Sequence, residues 1–235
     1  MSVASHSSLS AAGAPLCLQS LPNERQGEEL DMTDVMGHTD TGVREQILVT
    51  AERLFREIGY QKTTVADIAK ALRMSPANVY RFFDSKKSIN AGVARRLMSE
   101  VEDASQVIAK RRRGASERLR ELLETLHRMN SNRFVGDSKM HEMVAVAMEE
   151  NWDVCKSHIE CIIGIIAAVI SDGVASGEFH TSDVGVAALC TLTAVVRFVH
   201  PQLIAEFADK PSPTLDQMID FVIAGLSAPA NQPVS

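Results

Sequence analysis

The sequence predicts an all-α protein with a small N-terminal domain of three helices and a larger C-terminal helical domain. Three observations indicate this fold class. Apolar residues recur at the i, i+3, i+4, i+7 spacing of one helix face along most of the 235 residues. No segment alternates apolar and polar residues between turn signals, as a half-buried strand does. Glycine and proline are sparse inside the periodic segments and stand between them, where helices end.

The first two helices are predicted from periodicity and capping residues. Apolar residues repeat at helical spacing from Val43 to Ile58, and Gly59 follows as a stop signal. Thr64 precedes a short apolar stripe, and Asp67 lies three residues after it, which is the spacing of a capping box. The second helix is therefore expected to be short and to begin directly after Thr64.

The third helix is expected to be shorter still. Ser75 is a favourable N-cap and Pro76 fits the first helical position, whereas the pair 84–85 interrupts the helix after about two turns. Val79 and Phe83 lie four residues apart and are expected to anchor one face to the two preceding helices. Three helices with a short turn before the last one form a helix-turn-helix.

Helical periodicity continues through the rest of the chain. Breaks at Gly114, 136–137, Gly177, Pro201 and 211–213 separate predicted helices at about 86–110, 116–134, 138–150, 152–176, 182–199 and 214–228. The chain ends lack periodicity. We expect a disordered tail at 1–40, a helix-turn-helix DNA-binding domain at 41–88, a helical domain at 89–228 and a C-terminal tail at 229–235. Met32 and Met36 precede the first periodic segment, which suggests the hypothesis that translation starts at one of them.

Charge is distributed unevenly between these domains. Residues 41–96 contain eleven Lys/Arg and five Asp/Glu, a net charge of +6, although the whole chain carries −6. The remaining residues therefore carry −12. A basic module joined to an acidic body is typical of proteins that bind nucleic acid with one domain.

Several other classes of protein are disfavoured. The four cysteines (Cys17, Cys155, Cys161 and Cys190) do not have the spacing of a disulfide framework, which indicates reduced thiols in a cytoplasmic protein. The longest uncharged apolar runs, 161–170 and 184–196, are shorter than the roughly 20 residues of a membrane-spanning helix. No nucleotide-binding glycine loop or nucleophile motif appears, and "HEMVA" at His141 lacks the second histidine of a zinc-protease helix. We expect no enzyme activity, cofactor or membrane association.

The outer face of the third helix has the chemistry of a DNA reader. Asn78 can pair with adenine and Arg81 with guanine in bidentate fashion, and Tyr80 offers a hydroxyl and a ring. Thr64 and the free N–H groups that follow it can hold a phosphate. Lys86, just after the third helix, is placed to reach the DNA backbone.

Residues 43 to about 90 resemble the DNA-binding domain of the TetR (tetracycline repressor) family of transcriptional regulators. The similarity is carried by "ILVTAERLFREIGYQKTTVADIAKAL" and "MSPANVYRFFDSKKSI". The resemblance implies phosphate contacts for Thr64 and Lys86, a base-facing helix start at Pro76, Ala77 and Asn78, and base or phosphate contacts for Tyr80 and Arg81. The rest of the chain resembles the family only as an acidic helical body.

Three positions depart from the family pattern. Arg73 stands where glycine is usual, so the turn either has a different geometry or places Arg73 in the left-handed region at some cost. Pro76 replaces a common lysine, and Phe82 stands where a phosphate-binding histidine is frequent. Arg73 and Arg81 are candidates to compensate for the contacts that are lost.

The resemblance also implies functions for the acidic body. Segments 182–199 and 214–228 are expected to form the interface of a homodimer, whose two recognition helices lie about 34 Å apart on a palindromic operator. Helices within 116–176 are expected to enclose a pocket for a small, mainly apolar effector that releases a repressor from DNA. Its candidate lining residues are Met98, Leu122, Leu126, Met129, Met143, Met148, Trp152, Ile159 and Ile163.

Two alternatives to an apolar effector remain open. In the first, the body serves only for dimerisation or for contact with another protein; in the second, it carries a metal or redox input through Cys155, His158 and Cys161. These three residues step around the helix over about 9 Å of rise, so a single metal ion cannot readily bind all of them. No metal site is therefore predicted.

Overall fold

The computed structural model describes residues 32–134, 137–150, 152–207 and 212–228. All regular elements within these ranges are helices. They are α1 (Met32–Ile58), α2 (Val65–Ala71), α3 (Pro76–Tyr80), α4 (Lys86–Ala109), α5 (Ala115–Phe134), α6 (Ser138–Glu150), α7 (Trp152–Ser176), α8 (Val184–Val199), α9 (Pro201–Glu206) and α10 (Leu215–Ser227). The predicted helices agree with these bounds to within a few residues from α2 onward.

Two elements differ from the sequence-based expectation. The first helix begins at Met32, inside the segment 1–40 that was expected to be a tail. Residues 32–40 lack an apolar stripe, so periodicity could not mark them as helical; residues 1–31 lie outside the described part. Pro201 was predicted only as a break, but it also begins the short helix α9, because its fixed φ suits a first helical position.

The N-terminal core is built by α1–α3 together with parts of α4 and α6. Phe55, Ile68 and Val79 are buried at its centre, one from each of the first three helices. Ile89 and Met143 belong to the same core. The N-terminal core therefore extends beyond the predicted domain boundary at residue 88, because the first turns of α4 and one face of α6 complete it.

Helix α7 forms the centre of the C-terminal domain. Its 25 residues are long and apolar enough to cross a membrane by length and composition. However, Ile166 and Ile170 are fully buried in the core that α7 shares with α4, α5 and α8. One face of α7 therefore packs into the core, while Ile159 and Val174 remain partly exposed to solvent.

Polar contacts join the two domains. Arg96 of α4 binds Glu45 and Glu52 of α1, with nitrogen–oxygen distances of 2.6 Å in both pairs. The Lys139 ammonium of α6 donates to the carbonyl of Glu57 at the end of α1. Helices α4 and α6 therefore connect the helix-turn-helix directly to the body.

Candidate DNA-binding surface and internal cavity

The turn between α2 and α3 is closed by a Schellman motif. The N–H of Met74 donates to the carbonyl of Ala69 at 3.0 Å, and the N–H of Arg73 donates to that of Lys70 at 3.1 Å. Arg73 has φ of 54°, in the left-handed region that glycine adopts most easily. Of the two geometries expected for a non-glycine residue here, the structure has the left-handed one.

Helix α3 is held by its cap and by two buried side chains. Ser75 Oγ accepts a hydrogen bond from the N–H of Asn78 at 3.2 Å, and Pro76 occupies the first helical position. Val79 and Phe83 are both buried, which confirms their predicted role as anchors. The orientation of α3 about its own axis is therefore set by the N-terminal core.

The opposite face of α3 is open to solvent. Pro76, Ala77, Tyr80 and Arg81 are exposed, and Asn78 is half-buried. The Arg81 guanidinium donates to Asn78 Oδ1 at 3.4 Å, so these two side chains lie side by side. We call these five residues the reading face. The predicted contacts to DNA remain predictions, but the side chains that they require are accessible together.

Thr64 caps α2 as predicted and binds Asp67 in both directions. Its hydroxyl donates to Asp67 Oδ2 at 2.6 Å and accepts from the N–H of Asp67 at 3.1 Å. The hydrogen bond from the Thr64 hydroxyl, with that from its backbone N–H, holds the pKa of the Asp67 carboxyl below its ordinary value. The hydroxyl proton is thus used inside the capping box, and the exposed N-terminus of α2 is left for the predicted phosphate contact.

Lys86, for which the resemblance implies a phosphate contact, makes its hydrogen bonds within the protein. Its Nζ donates to the carbonyls of Tyr60, Gln61 and Thr63 at 2.8, 3.2 and 3.0 Å, and it lies 4.3 Å from the centre of the Tyr60 ring. All three ammonium hydrogens therefore have acceptors within the protein. Lys86 thereby joins the start of α4 to the turn before Thr64, and its phosphate contact remains a prediction.

Arg44 is a structural residue of this surface that the sequence reading missed. Its guanidinium donates to the carbonyl of Phe82 at 2.9 Å and lies 4.2 Å from the centre of the Phe83 ring. It ties α1 to the segment after α3, 38 residues further along the chain. No local pattern marks such a contact, because Arg44 is otherwise an ordinary charged residue in a helix.

A cavity of about 200 Å³, which we call the internal cavity, lies among the helices of the C-terminal body. Its walls come from α4, α5, α6, α7 and α8, and most of the lining is apolar. Five predicted pocket residues line it: Met98, Leu126, Met143, Met148 and Ile159. The prediction that helices of the body enclose an apolar space is consistent with this geometry.

The other four predicted pocket residues do not line this cavity. Leu122 is fully buried in the core of the C-terminal domain, and Met129 and Ile163 pack against that core. Trp152 is 54% exposed at the start of α7. Apolar residues on neighbouring turns of one helix have the same sequence pattern, and only the packing between helices decides which of them faces the cavity.

Polar groups in the cavity wall were also missed. Asn130 donates to the carbonyl of Val199 at 2.6 Å, and Arg133 donates to that of Leu97 at 2.8 Å. Nδ1 of His200 is buried and has no hydrogen-bond partner among the described residues. Burial lowers the pKa of His200 below its ordinary value, so the neutral imidazole is favoured.

The proposed cysteine–histidine site is not assembled. His158 Nδ1 lies 2.8 Å from Glu102, which also binds Arg95 at 3.0 Å. Burial acts to raise the pKa of Glu102, but these partners outweigh it and hold the pKa below its ordinary value. Cys155 lines the internal cavity, whereas Cys161 lines a separate groove. In the described ranges no group of three or more His, Cys, Asp or Glu residues is placed to hold a metal ion.

Comparison with known protein families agrees with the arrangement of these domains. Residues 47–93 match the family described as "Bacterial regulatory proteins, tetR family". Residues 115–218 match "Tetracyclin repressor-like, C-terminal domain", and the two matches together cover more than half of the chain. The chain belongs to the TetR family. TetR-family proteins are DNA-binding transcriptional regulators and not enzymes, as expected from the sequence.

Individual relatives share either the helix-turn-helix or the overall fold. The chain is 47% identical over 47 residues to the "Biofilm operon icaADBC HTH-type negative transcriptional regulator IcaR" of Staphylococcus aureus. That match covers 20% of this chain and spans only a quarter of the length of IcaR. It therefore compares the helix-turn-helix and not the body.

Solved structures of TetR regulators show the same fold over most of the chain. A regulator of the TetR/AcrR family from Thermobifida fusca aligns with a TM-score of 0.54 and 22% identity, covering 81% of this chain and all of that one. FadR from Bacillus subtilis, solved in complex with stearoyl-CoA, aligns with a TM-score of 0.56 and 16% identity over 77% of this chain and 98% of FadR. At these identities the likeness establishes the all-α TetR fold, and no ligand.

The TetR body also has an exposed apolar surface on its last long helices. Val186 and Leu189 of α8 are 56% and 53% exposed, and Phe221 of the adjacent α10 is 73% exposed. Large apolar side chains that are this exposed, and that lie on neighbouring helices, mark interaction surfaces. They fall in the two segments predicted to form a dimer interface.

Proposed function

We propose that this TetR-family protein is a cytoplasmic, homodimeric repressor that leaves a palindromic operator when a small, mainly apolar ligand binds. The observation that carries the proposal is the division of α3 into a buried face, with Val79 and Phe83, and an exposed reading face. This division holds a short helix rigidly while its polar side chains stay available for the major groove.

DNA recognition is assigned to the reading face and its neighbours. Asn78 and Arg81 are the proposed base readers, since amide and guanidinium groups match the edges of adenine and guanine. Tyr80 and the exposed Arg73 contact base or backbone, and the N-terminus of α2 at Thr64 receives a phosphate. IcaR, the relative whose helix-turn-helix is similar, is described as a negative regulator, which supports repression.

The homodimer is proposed to form through α8 and α10. Val186, Leu189 and Phe221 supply the apolar surface that such an interface requires. A twofold arrangement of two α3 helices would read two half-sites one helical turn apart, or a multiple of that distance. Each subunit would contribute the same patch, as in an isologous interface.

The internal cavity is the proposed effector site. Its volume of about 200 Å³ is below the roughly 300–1,000 Å³ of pockets for drug-sized ligands, which favours a small molecule. Met143 lines the cavity and also belongs to the N-terminal core, and its carbonyl accepts a 3.4 Å hydrogen bond from Asn90 of α4. A ligand that displaces α6 would therefore act directly on the helices that carry the reading face.

Selection of bound duplex DNA from a random pool tests the DNA-binding part of this proposal. The wild-type protein should enrich an inverted repeat, whereas Phe221→Glu should be monomeric by sedimentation and should bind the same DNA weakly. Recovery of random sequence from the wild type would contradict the proposal. An equally tight, dimeric Phe221→Glu would move the interface away from α10.

Native mass spectrometry tests the effector site. Incubation with a small-molecule extract should add a ligand mass to the wild type, and operator DNA should be released in parallel. Met148→Trp should abolish both effects by filling the cavity, while Met129→Trp, on a half-buried methionine outside the cavity, should retain them. Release that persists in Met148→Trp would place the effector elsewhere, and the absence of any bound ligand would favour a regulator without an effector.

A further inference from the structure

A second cavity of about 410 Å³ lies on the other part of the contact between α4 and α7. It is formed by the last turn of α4, the connection to α5 and the middle of α7, and it shares no lining residue with the internal cavity. The proposed function assigns no role to this groove. We propose that it is a binding site for an amphipathic organic anion, with a single carboxylate or phosphate head and a short apolar body.

One end of the groove is basic. Lys110 and Arg111 belong to the run of four cations at 110–113, which stands out in a body whose charge is otherwise strongly acidic. Lys110 is exposed and forms no ion pair with any described residue. Arg111 is paired with Glu121. The ammonium of Lys110 is thus available to a ligand anion at no cost to an existing pair.

Arg118 supplies a buried donor at the same end. It is 7% exposed, and its Nη1 donates to the carbonyl of Ala109 at 2.6 Å and to Asp172 Oδ2 at 2.9 Å. Its Nε, however, has no acceptor among the described residues. A buried donor without an acceptor costs free energy, and Arg118 itself lines the groove beside Lys110 and Arg111.

Apart from Gln106, the remaining lining of the groove is apolar, and most of it is small. Gly164 and Ala168 lie one turn apart on α7, and Ile165 and Ala109 complete the floor. Small side chains leave room for an alkyl or aryl group of a ligand. The groove therefore joins a cationic end to an apolar floor, which is the complement of an amphipathic anion.

Asp172 limits the charge of the occupant. Its carboxylate lines the groove but is paired with Arg118, so it compensates part of the positive charge. A polyanion such as DNA would be repelled by this carboxylate and would gain no polar contact from the apolar floor. One acidic head group fits better than a nucleic-acid backbone.

Occupation of the groove has a consequence for regulation, which rests on the proposed function. Both cavities lie between the same two helices, one toward the helix-turn-helix and one toward the far end of α4. An amphipathic anion wedged between α4 and α7 would bias the position of α4 and so modulate the release of DNA. Binding itself does not depend on DNA and is tested without it.

Calorimetric titration with octanoate and octyl phosphate tests the site. Octanol, which has only the apolar body, and inorganic phosphate, which has only the anionic head, are the controls. The two amphipathic anions should bind the wild type, and each part alone should bind much more weakly. Lys110→Gln should weaken the binding of octanoate about tenfold through the loss of a charge-assisted contact, and Ala168→Leu should do so by narrowing the floor. Arg112→Gln removes a charge of the same run outside the groove and should leave the affinity unchanged.

The same titrations in Met148→Trp separate the two cavities, because that substitution fills only the internal one. Retention of octanoate binding in Met148→Trp and its loss in Lys110→Gln support the groove. Equal affinity of wild type, Lys110→Gln and Ala168→Leu, or equal losses in Lys110→Gln and Arg112→Gln, would overturn the proposal. So would binding of octanoate that disappears only in Met148→Trp.

Discussion

Arg73 lies in the turn between α2 and α3, directly before the helix that carries the reading face. It is the one described non-glycine residue with a positive φ, and it sits at the C′ position of α2, where glycine is preferred. An L-residue there is strained by about 1–2 kcal/mol. An exposed cation at this position adds positive charge next to the DNA surface, so the strain is consistent with a role in binding.

Arg73→Gly is expected to raise the free energy of unfolding by up to about 1 kcal/mol. Relief of the left-handed strain exceeds the additional backbone entropy that glycine loses on folding. Urea unfolding measures the change, and Arg73→Ala is the matched control because it removes the charge but retains the β-carbon. Equal stability of the glycine and alanine variants would show that no strain is stored there.

Lys86→Met is expected to weaken DNA binding without changing its salt dependence. The substitution leaves the carbonyls of Tyr60, Gln61 and Thr63 without their donor and so loosens the turn before Thr64. Arg73→Met is the comparison, because loss of the backbone contact proposed for this exposed cation should reduce the slope of log K against log salt by about 0.9. The same reduction of the slope in Lys86→Met would show that Lys86 contacts a phosphate directly, as the resemblance implies.

His200 is expected to make stability depend on pH just below neutrality. Burial lowers its pKa, so below about pH 6.5 the unfolded chain binds more protons than the folded one, and stability falls as the pH decreases. His200→Asn should flatten this part of the profile when urea unfolding is measured from about pH 7.5 to 5.5. A difference between the two proteins that stays constant over this range would show that His200 does not titrate differently on folding.

At the scale of elements, local residues account for the helices of the DNA-binding domain. The capping box at Thr64 and the Ser75–Pro76 pair each act within a few residues, and the structure reproduces both. The end of α7 depends on side-chain packing as well as on local hydrogen bonds. The carbonyl of Gly173 accepts the N–H groups of Glu178 and Phe179, and the Phe179 ring folds back over Gly173 and is buried.

Gly173→Ala is therefore expected to destabilise the body by about 1–3 kcal/mol, as overpacking of a buried site does. A β-carbon at Gly173 would lie 2.8 Å from Phe179 Cε2 and 2.9 Å from the β-carbon of Ala115, and neither neighbour can move freely. Gly225→Ala is the control, since nothing lies within 4 Å of its added β-carbon and alanine favours a helix. In thermal unfolding, the midpoint temperature of Gly173→Ala should be below that of the wild type and that of Gly225→Ala above it. Equal midpoint temperatures of the two variants would contradict this packing.

At the scale of the whole molecule, sequence predicts what depends on neighbours along the chain. Helix periods, caps and the anchors Val79 and Phe83 belong to this group. Contacts between distant segments could not be predicted, such as Lys86 on the carbonyls before Thr64 or Arg44 on Phe83. The cavity shows the same division: its apolar character follows from composition, but which residues line it depends on how five helices pack.

The link between the cavity and the reading face is likewise a property of the whole molecule. Helix α6 contributes to both the cavity wall and the N-terminal core. The ion pair between Arg96 and Glu52 also connects α4 to α1. A ligand and an operator that favour different positions of α4 and α6 would oppose each other's binding to the same extent.

The role of α3 as the helix that reads DNA is tested by base discrimination at Asn78. The affinities of wild type and Asn78→Ala are measured for the selected operator and for versions with single base-pair changes, at several salt concentrations. Asn78→Ala should lose about 1–3 kcal/mol of discrimination at one position of each half-site while the salt slope stays unchanged. An Asn78→Ala protein that keeps the base preferences of the wild type would contradict the assignment of α3 as the helix that reads DNA.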